Sequence, residues 1–312
     1  MAEENLVFGA DGGGTKTLGV IAGLTGDPLA ESQSGPSNPN VVGIETAARN
    51  LLSLVRECCR EAHCTVENLR ALCCGLAGVA SSAISDSLLG ALTRECEAQG
   101  IPPLPFSLET DARISLEGAF DGGPGVIVIA GTGSNVLGKT PSGEQRMTGG
   151  WGRVLGDEGS GYYIGLEALK ALTREYDGRG SSGSLRHLCG ERFGWTSREK
   201  IITAVYKEQF AIPSLAPIVL EAAAAGDWVS IDILERGAAH LVEHVAVFAA
   251  RWPSGSRLGV VFIGGLIDHD TVYTHILRGA LEARFPAVTI RPPLHPPVTG
   301  AVMLARKRLH RE

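Results

Sequence analysis

Apolar and polar positions along the chain follow two patterns, one typical of β-strands and one typical of α-helices. In the first third, short apolar or alternating runs predict an antiparallel meander, and wider apolar spacing predicts helices. Near residue 126 the pattern partly restarts with an all-apolar strand, and the second half is mainly helical. The predicted strands are 6–10, 17–24, 28–33, 69–76, 106–109, 126–130, 136–138, 144–147, 258–263 and 288–291. The predicted helices are 44–62, 85–99, a helix that starts directly after Asp111, 163–176, 197–209, 215–225, 230–251, 271–285 and one that starts at 298.

Two segments of the chain are similar to each other: Phe8–Val20 (FGADGGGTKTLGV) and Ile127–Lys139 (IVIAGTGSNVLGK). Each combines an apolar strand, a Gly/Thr turn and a second extended segment. A duplicated α/β domain would produce this similarity, with one turn of each domain facing a shared cleft. Glycines interrupt the hydrophobic pattern at 118–124, and we place the domain boundary there. We therefore expect an N-terminal domain over 1–118 and a C-terminal domain with helical additions over 119–312.

Composition narrows the class of protein. A chain of 312 residues with 44% hydrophobic and 20% charged residues is typical of a globular protein of two domains. The net charge of −6 makes a nucleic-acid partner unexpected. The acidic N-terminus and the absence of an apolar run of about 20 residues predict a cytoplasmic protein without a membrane partner. Glycine is in excess, at 41 positions, which indicates special backbone geometry.

The seven cysteines have neither the spacing of a disulfide framework nor that of a zinc site. Their number is odd, they include two adjacent pairs, and no CxxC occurs. We expect them to be buried, reduced side chains that pack as small apolar groups. An iron–sulfur role is the alternative.

The first glycine turn, Gly12–Thr15, carries the candidate phosphate chemistry. Small residues let backbone N–H groups approach phosphate oxygens, and hydroxyl side chains add donors. A Walker A loop or a dinucleotide fingerprint would lead into a helix, whereas Thr17–Val20 continues as a strand, so the turn is a β-hairpin. Asp11 would repel phosphate unless a divalent cation lies between them, which points to hydrated Mg²⁺. Alternatively, Asp11 only accepts hydrogen bonds in the turn.

Five motifs resemble, in their order along the chain, those of the N-acetylglucosamine kinase group of the BadF/BadG/BcrA/BcrD ATPase family, within the actin-like sugar kinase/Hsp70 superfamily. They are DGGGTKT at Asp11–Thr17, TDA at Thr110–Ala112, AGTGSN at Ala130–Asn135, GGWGRVLGDEGSGY at Gly149–Tyr162 and FIGG at Phe262–Gly265. The resemblance covers nearly the whole chain, and its fourth motif is the most specific.

The resemblance implies an α/β fold of two actin-like (ribonuclease H-like) domains with an ATP and sugar cleft between them, and ATP and Mg²⁺ as cofactors. The implied cofactor contacts are Asp11, Gly13, Gly14, Thr15, Lys16, Thr132, Gly133, Gly264 and Gly265, with Asp11 near Mg²⁺ and acting on it through water. The implied sugar contacts are Asn38, Asp111, Gly150, Trp151 and Asp157. Asp111 is the implied catalytic carboxylate.

Simpler explanations exist for two of these residues. A sugar hydroxyl needs a nearby carboxylate to accept its proton, and Asp111 lies between a predicted strand and helix, where it could instead cap the helix. Trp151 lies in a glycine-rich loop that can bury few apolar atoms, which favours a ligand loop. It could instead be an ordinary packing anchor.

The sequence therefore predicts an ATP-dependent kinase for the 6-hydroxyl of an amino sugar, with N-acetylglucosamine first and glucosamine or N-acetylmuramic acid as alternatives. We expect a homodimer, the commonest soluble assembly. Three other functions stay open: a metallopeptidase, because His240, Glu243 and His244 form an HxxEH motif; an ATPase that activates a radical dehydratase; and a sugar sensor. A dehydratase activator would need cysteines near the domain junction, and none occurs between Cys96 and Cys189. A sugar sensor would not require Asp11 and Asp111.

Overall fold

A computed structural model describes residues 5–309 and divides the chain into two compact units. The first unit is formed by 5–123 together with 293–309, and the second by Pro124–Pro292. The strands are β1 (Leu6–Gly12), β2 (Thr17–Gly23), β3 (Pro28–Ser34), β4 (Leu69–Leu76), β5 (Phe106–Thr110), β6 (Gly125–Ala130), β7 (Ser134–Lys139), β8 (Gln145–Gly149), β9 (Leu258–Ile263) and β10 (Val288–Ile290). All ten predicted strands are present, with bounds that differ by at most two residues.

The helices are α1 (Pro39–Val42), α2 (Ile44–Glu61), α3 (Ser82–Ala98), α4 (Asp111–Ala119), α5 (Gly161–Tyr176), α6 (Leu185–Phe193), α7 (Arg198–Ile202), α8 (Ala216–Ala224), α9 (Trp228–Ala249), α10 (Val272–Arg284) and α11 (Pro297–Leu309). Short 3₁₀ turns lie at Val66–Asn68 and Ile212–Leu215. Two helices were not predicted: α1, of four residues, and α6, where only Leu185 and Cys189 are buried and the apolar period is weak. The predicted helix 197–209 is α7 followed by a π-helical turn, Thr203–Lys207.

The two units contain sheets of the same topology. In the first unit the strand order is β3-β2-β1-β4-β5, and in the second it is β8-β7-β6-β9-β10. Each sheet begins with an antiparallel meander and adds two parallel strands beside the first strand of that meander. The similar sequence segments are therefore equivalent hairpins, β1–β2 and β6–β7. The predicted α/β class with a duplicated domain is confirmed.

Alternating side chains of β1 enter two different cores of the first unit. Phe8 and its neighbours at alternate positions pack with α2 and α3, whereas Val7 packs with residues of α4 and α11. This alternation is the two-residue period of a strand that is covered on both faces. A Cβ on Gly9 would lie 2.6 Å from the backbone N of Val302, so the glycine permits close approach of α11.

The C-terminal helix α11 belongs to the first unit, whereas the predicted second domain extended to 312. Its apolar residues Val298 and Ala301 pack with Ile114 of α4. Glycines make this packing close, because a Cβ on Gly300 would lie 2.0 Å from the Ile114 carbonyl oxygen. The first continuous segment of this unit also ends at residue 123 instead of 118. An amphipathic sequence indicates that one face of a helix will be buried, but it does not indicate which sheet will cover that face.

The second unit has one large core formed by its sheet and most of its helices, including α5, α8, α9 and α10. Within residues 5–309, no single helix is both long and apolar enough to cross a membrane. The segments Ile212–Ala224 and Trp228–Ala249 reach that length and composition only as a pair bent by 118°. Their apolar residues, such as Val219 and Leu241, are buried in this core.

Candidate active site

The first glycine turn is the tight connection of the β1–β2 hairpin. Gly12 pairs with Thr17 across the antiparallel ladder, and the N–H of Gly13 donates to the carbonyl oxygen of Lys16 at 3.0 Å. Gly14, Thr15 and Lys16 are exposed at its tip. The structure therefore contains the predicted hairpin, with three of the predicted ATP-contacting residues open to solvent.

The loop that carries Asn38 is attached to this hairpin. The N–H groups of Ser37 and Asn38 both donate to the carbonyl oxygen of Gly13, at 3.2 and 3.1 Å. Thr17 Oγ1 lies 2.8 Å from both Gly35 O and Ser37 Oγ. The side-chain oxygen of Asn38 accepts from the N–H of Asn40 at 2.9 Å and caps α1. Within residues 5–309 the Asn38 side-chain amide donates no hydrogen bond, so its NH₂ group is available to a ligand.

Asp111 is the first residue of α4, directly after β5. The cap of this helix is Thr110, whose Oγ1 accepts from the N–H of Arg113 at 3.1 Å. Asp111 Oδ1 accepts from the N–H of Ala112 at 2.8 Å, and the residue is exposed. The explanation of Asp111 as the helix cap is thus wrong, because Thr110 fills that position.

Asp11 lies at the end of β1 and is half-buried. Burial raises the pKa of its carboxyl, the nearby carboxylate of Asp111 raises it further, and the Lys16 ammonium opposes both. Asp11 is in register with Gly75 of β4 and, beyond it, with Glu109 of β5. The first unit therefore places Asp11 and Asp111 near each other at the same edge of its sheet.

These two carboxylates fit a hydrated Mg²⁺ ion better than a fully protein-bound metal. Within residues 5–309, no three His, Cys, Asp or Glu side chains are grouped closely enough to hold a metal ion. Mg²⁺ commonly keeps several waters and uses one or two carboxylates plus substrate phosphates. A divalent cation would also relieve the repulsion between Asp11 and Asp111.

The second glycine turn joins β6 to β7 and is attached to the start of α5. The N–H of Gly131 donates to the carbonyl oxygen of Gly133 at 2.9 Å. The N–H groups of Gly161 and Tyr162 donate to the carbonyl oxygens of Gly131 and Thr132, at 2.8 and 3.1 Å. Thr132 is exposed, and Gly133 is half-buried.

The third glycine turn, Gly264–Gly265, follows β9 and contacts the second. Gly264 has φ +102°, and a Cβ there would lie 2.6 Å from the carbonyl oxygen of Ala130. The N–H of Leu266 donates to that same oxygen at 3.2 Å. Two sequence-predicted nucleotide elements, 132–133 and 264–265, are therefore neighbours in the second unit.

Residues 149–160, called the glycine loop below, carry the other predicted sugar contacts. Gly149 and Gly150 have φ of +73° and +72°, which favours glycine. The N–H of Gly150 donates to the carbonyl oxygen of Ser134 at 3.1 Å. Trp151 is 73% exposed, so it does not anchor packing. The packing alternative for Trp151 is thus wrong.

Asp157 lies against the second glycine turn in an uncommon backbone conformation. Its φ is +58°, in the left-handed region that non-glycine residues rarely adopt. Its Oδ1 accepts from the N–H of Ser134 at 3.2 Å, and a Cβ on Gly133 would lie 3.0 Å from its Oδ2. The predicted sugar contact therefore also has a structural partner in the turn.

Asn135 is a candidate site residue that the sequence analysis did not select. Its side-chain oxygen is buried and has no hydrogen-bond partner within residues 5–309. It pairs with Gly149 across the β7–β8 ladder, and a Cβ on Gly150 would lie 3.4 Å from the Asn135 Cβ. An unpaired buried amide is costly unless a ligand or water satisfies it. The available signal was the polar end of the GTGSN motif, next to the turn predicted to bind phosphate.

The histidines of the HxxEH motif have different partners. His244 Nε2 lies 3.7 Å from the Glu158 carboxylate of the glycine loop. His240 packs edge-to-face on Tyr163, with ring centroids 5.4 Å apart, and its Nδ1 lies 3.9 Å from Glu243. The motif thus contributes His244 to the support of the glycine loop.

The cysteines behave as apolar side chains. All seven are free thiols, and all except Cys64 are buried. Burial raises the pKa of Cys58 and Cys189 to about 11 and that of Cys73 to about 12, which disfavours the reactive thiolate. The prediction of buried, reduced cysteines agrees with this environment.

Comparison with known proteins relates the whole chain to one family. A model of the BadF/BadG/BcrA/BcrD ATPase family matches residues 8–305. The chain is 33% identical over 304 residues to an N-acetylmuramic acid/N-acetylglucosamine kinase of Clostridium acetobutylicum, covering 96% of this chain and 98% of that relative. It is 28% identical over 319 residues to an N-acetyl-D-glucosamine kinase of Dictyostelium discoideum, covering 97% and 98%.

A solved structure supports the same relation. The fold is similar to that of a Chromobacterium violaceum protein provisionally named an N-acetylglucosamine kinase, with a TM-score of 0.71 and 26% identity. The similarity covers 96% of this chain and 99% of that one.

Proposed function

The chain belongs to the BadF/BadG/BcrA/BcrD ATPase family, and we propose that it is an ATP-dependent kinase that phosphorylates the 6-hydroxyl of N-acetylglucosamine. The relatives from Clostridium acetobutylicum and Dictyostelium discoideum are both named as kinases of this sugar. Sequence motifs and relatives therefore support the same reaction class.

The observation that carries the proposal is that the Asp111 carboxylate is exposed and does not cap α4. Thr110 caps α4, so the exposed carboxylate of Asp111 is left to act on a substrate. A carboxylate that accepts the proton of an attacking hydroxyl is the one acid–base group that sugar phosphorylation requires. Asp111 is the proposed catalytic residue.

The proposed ATP contacts are distributed over three glycine turns. Gly13, Gly14, Thr15 and Lys16 would meet phosphates through N–H, hydroxyl and ammonium donors, and Thr132 and Gly133 would supply equivalent donors. Gly264 and Gly265 would lie beside the adenosine. The contact between the second and third turns, through Ala130, supports a common role for them.

Asp11 is the proposed Mg²⁺ residue, acting through water. Its position beside Asp111 supports this role, because the two carboxylates repel each other when no cation is present. When bound, Mg²⁺ would neutralise charge on the phosphates.

The proposed sugar contacts are Asn38, Asp111, Gly150, Trp151 and Asp157, and we add Asn135 because its buried side-chain oxygen has no partner within residues 5–309. Trp151 offers an exposed aromatic face for a sugar ring or an acetamide methyl group. The free NH₂ group of Asn38 and the unpaired Oδ1 of Asn135 are a donor and an acceptor for sugar hydroxyls.

The proposed reaction is a direct phosphoryl transfer. Asp111 accepts the proton of the 6-hydroxyl, the sugar oxygen forms a bond to the γ-phosphorus, and the bond to the β-phosphate oxygen breaks to release ADP. Such transfers depend mainly on alignment and on stabilisation of charge. The donors of the glycine turns serve these two purposes.

The test is an ADP-release assay with N-acetylglucosamine, glucosamine, N-acetylmuramic acid and glucose. We expect N-acetylglucosamine to stimulate ADP release most strongly, with glucosamine or N-acetylmuramic acid as the runner-up. Failure of every sugar to stimulate ADP release would reject the kinase assignment.

Arg153 favours N-acetylmuramic acid as a second substrate. This sugar carries a lactyl carboxylate, and Arg153 is the basic residue of the glycine loop. Its guanidinium carbon lies 5.9 Å from the Tyr162 ring centroid, and within residues 5–309 no carboxylate pairs with it. An exposed arginine between Trp151 and Asp157 is suited to a carboxylated sugar. The Clostridium acetobutylicum relative is named for both sugars.

We also propose that the chain acts as a homodimer in the cytoplasm, where ATP is available. The second unit presents Ile202 and Tyr206, which are 44% and 79% exposed, beside a groove of about 620 Å³. Exposed apolar side chains of this size support a subunit contact. Light scattering that gives the mass of one chain would reject the dimer.

A further inference from the structure

Ser134 connects the second glycine turn to the glycine loop through each of its polar groups. It is the first residue of β7 and is 4% exposed. Its N–H donates to Asp157 Oδ1 at 3.2 Å, and its Oγ donates to the Glu158 carbonyl oxygen at 2.7 Å. Its own carbonyl oxygen accepts from the N–H of Gly150 at 3.1 Å. One buried serine thus holds both ends of the segment 150–158.

The end of the glycine loop beyond Glu158 has other supports. The Tyr273 hydroxyl donates to the Gly159 carbonyl oxygen at 2.8 Å, and Ser160 caps α5 by accepting from the N–H of Tyr163 at 3.2 Å. The Asp157 side chain and the Glu158 carbonyl group are bonded to Ser134, and the Asp157 carbonyl oxygen accepts from the N–H of Ser160 at 3.2 Å. Asp157 has a strained φ of +58°, which persists only where neighbouring contacts impose it. Ser134 holds the Asp157 side chain, and Ser160 holds its carbonyl oxygen.

The turn that precedes Ser134 is the part of this network that a nucleotide would order. Gly131 and Gly133 flank the exposed Thr132, and the N–H groups of Gly161 and Tyr162 hold the turn to the start of α5. Phosphate contacts would remove the backbone freedom that the two glycines still leave. Ser134 directly follows the turn and pairs with Ala130 across the β6–β7 ladder, so phosphate contacts at the turn would restrict it further. The glycine loop, which is bonded to Ser134, then loses freedom as well.

We propose that Ser134 is a positioning residue that couples nucleotide binding to sugar binding. The proposal rests on the proposed kinase function. The first ligand orders the turn and the loop together, so the second ligand binds a site already ordered. Because coupling is reciprocal, ADP raises the affinity for the sugar by the same factor as the sugar raises the affinity for ADP.

Calorimetry with Ser134→Ala tests the coupling, because this change removes the Oγ–Glu158 bond and leaves the two backbone bonds of Ser134. In the unaltered protein, we expect Mg–ADP to lower the Kd for N-acetylglucosamine about fivefold or more. In Ser134→Ala we expect this factor to fall to less than about twofold, and Ser134→Thr, which retains the hydroxyl, to restore it. The matched control is Ser182→Ala, which removes another buried hydroxyl of the same unit, bonded to Glu175, and should leave the factor unchanged.

Hydrogen exchange gives a second measurement that does not depend on catalysis. Mg–ADP alone should slow amide exchange in peptides that cover 149–158 of the unaltered protein, and should slow it much less in Ser134→Ala. Full coupling or full protection in Ser134→Ala would overturn the proposal while leaving the kinase function intact. A protein that releases no ADP with any sugar would instead fail at the proposed function.

Discussion

The carboxylate of Asp111 lies close enough to Asp11 to raise the pKa of the Asp11 carboxyl, an effect second only to burial. Asp11 is the penultimate residue of β1 and Asp111 directly follows β5, and β4 separates these two strands in the sheet. Because β1, β4 and β5 are parallel, their carboxyl ends meet at one edge, and residues distant in sequence become neighbours. This relationship underlies the proposed roles of Asp11 as the Mg²⁺ residue and of Asp111 as the base.

Asp111→Asn should lower kcat by about 10²–10⁴-fold, because the amide cannot accept the proton of the sugar hydroxyl. The fold should remain, since Thr110 caps α4. Steady-state ADP release, with circular dichroism as a folding check, measures both effects. Asp86→Asn is the control, as Asp86 is an exposed carboxylate of α3 in the same unit. Full activity in Asp111→Asn would reject the base assignment.

Asp11→Asn should stabilise the first unit at neutral pH while lowering activity. The pKa of Asp11 is raised in the fold, so the folded protein binds this proton more tightly than the unfolded chain does. Its contribution to stability is therefore greatest at low pH and falls as the pH rises from the ordinary Asp value through the raised one. Above that pH window the ionised carboxylate of Asp11 destabilises the fold by a constant amount, and the amide of Asn removes this destabilisation.

Thermal unfolding at several pH values measures the effect of Asp11→Asn. A gain of 1 kcal/mol corresponds to roughly 2–4 °C in the midpoint temperature for a unit of this size. The gain should disappear below the ordinary pKa of Asp. A variant that is less stable than the unaltered protein at neutral pH would show that Asp11 is instead favourably bonded.

Gly264→Ala should destabilise the second unit and raise the KM for ATP. The new Cβ would lie 2.6 Å from the Ala130 carbonyl oxygen, at a φ of +102° that alanine rarely adopts. Such strain costs about 1–3 kcal/mol. Because Ala130 leads into the second glycine turn, relief of the clash should displace that turn, and we expect the KM for ATP to rise about tenfold or more.

The control for Gly264→Ala is Gly279→Ala in α10, where no atom lies within 4 Å of the new Cβ. Alanine at this exposed position of α10 should stabilise the helix by up to about 1 kcal/mol. Nucleotide titration and thermal melts of both variants distinguish local strain from a general effect of adding a methyl group. An unchanged KM for ATP in Gly264→Ala would remove the third turn from the proposed nucleotide site.

Arg153→Ala should lower kcat/KM for N-acetylmuramic acid about tenfold and change kcat/KM for N-acetylglucosamine less than about threefold. The difference arises because a hydrogen bond to a charged group contributes about 1.5–3 kcal/mol, and only the first sugar carries a carboxylate. Arg146→Ala, an exposed arginine of β8, should affect neither sugar. Equal losses with both sugars, or a raised KM for ATP alone, would assign Arg153 to another role.

The local pattern of apolar, polar and glycine residues determined the strands and hairpins of this protein. The glycine turns lie between alternating or apolar runs, and such runs form paired strands whichever domain surrounds them, so the hairpins β1–β2 and β6–β7 followed from sequence. The position of Asp111 between a strand and a helix was equally local. What local pattern left open was whether Asp111 or Thr110 caps α4, because both side chains are good caps.

Tertiary structure decided which distant elements meet. The apolar face of α11 would suit either sheet, and Gly9 and Gly300, which admit close backbone approach, select the first unit. The left-handed backbone of Asp157 and its bond to Ser134 join residues 23 positions apart, across a loop whose glycines specify no single path. The spacing of apolar residues in the sequence determines which face of each strand or helix is buried. Contacts between loops depend instead on how the strands and helices that carry those loops pack together.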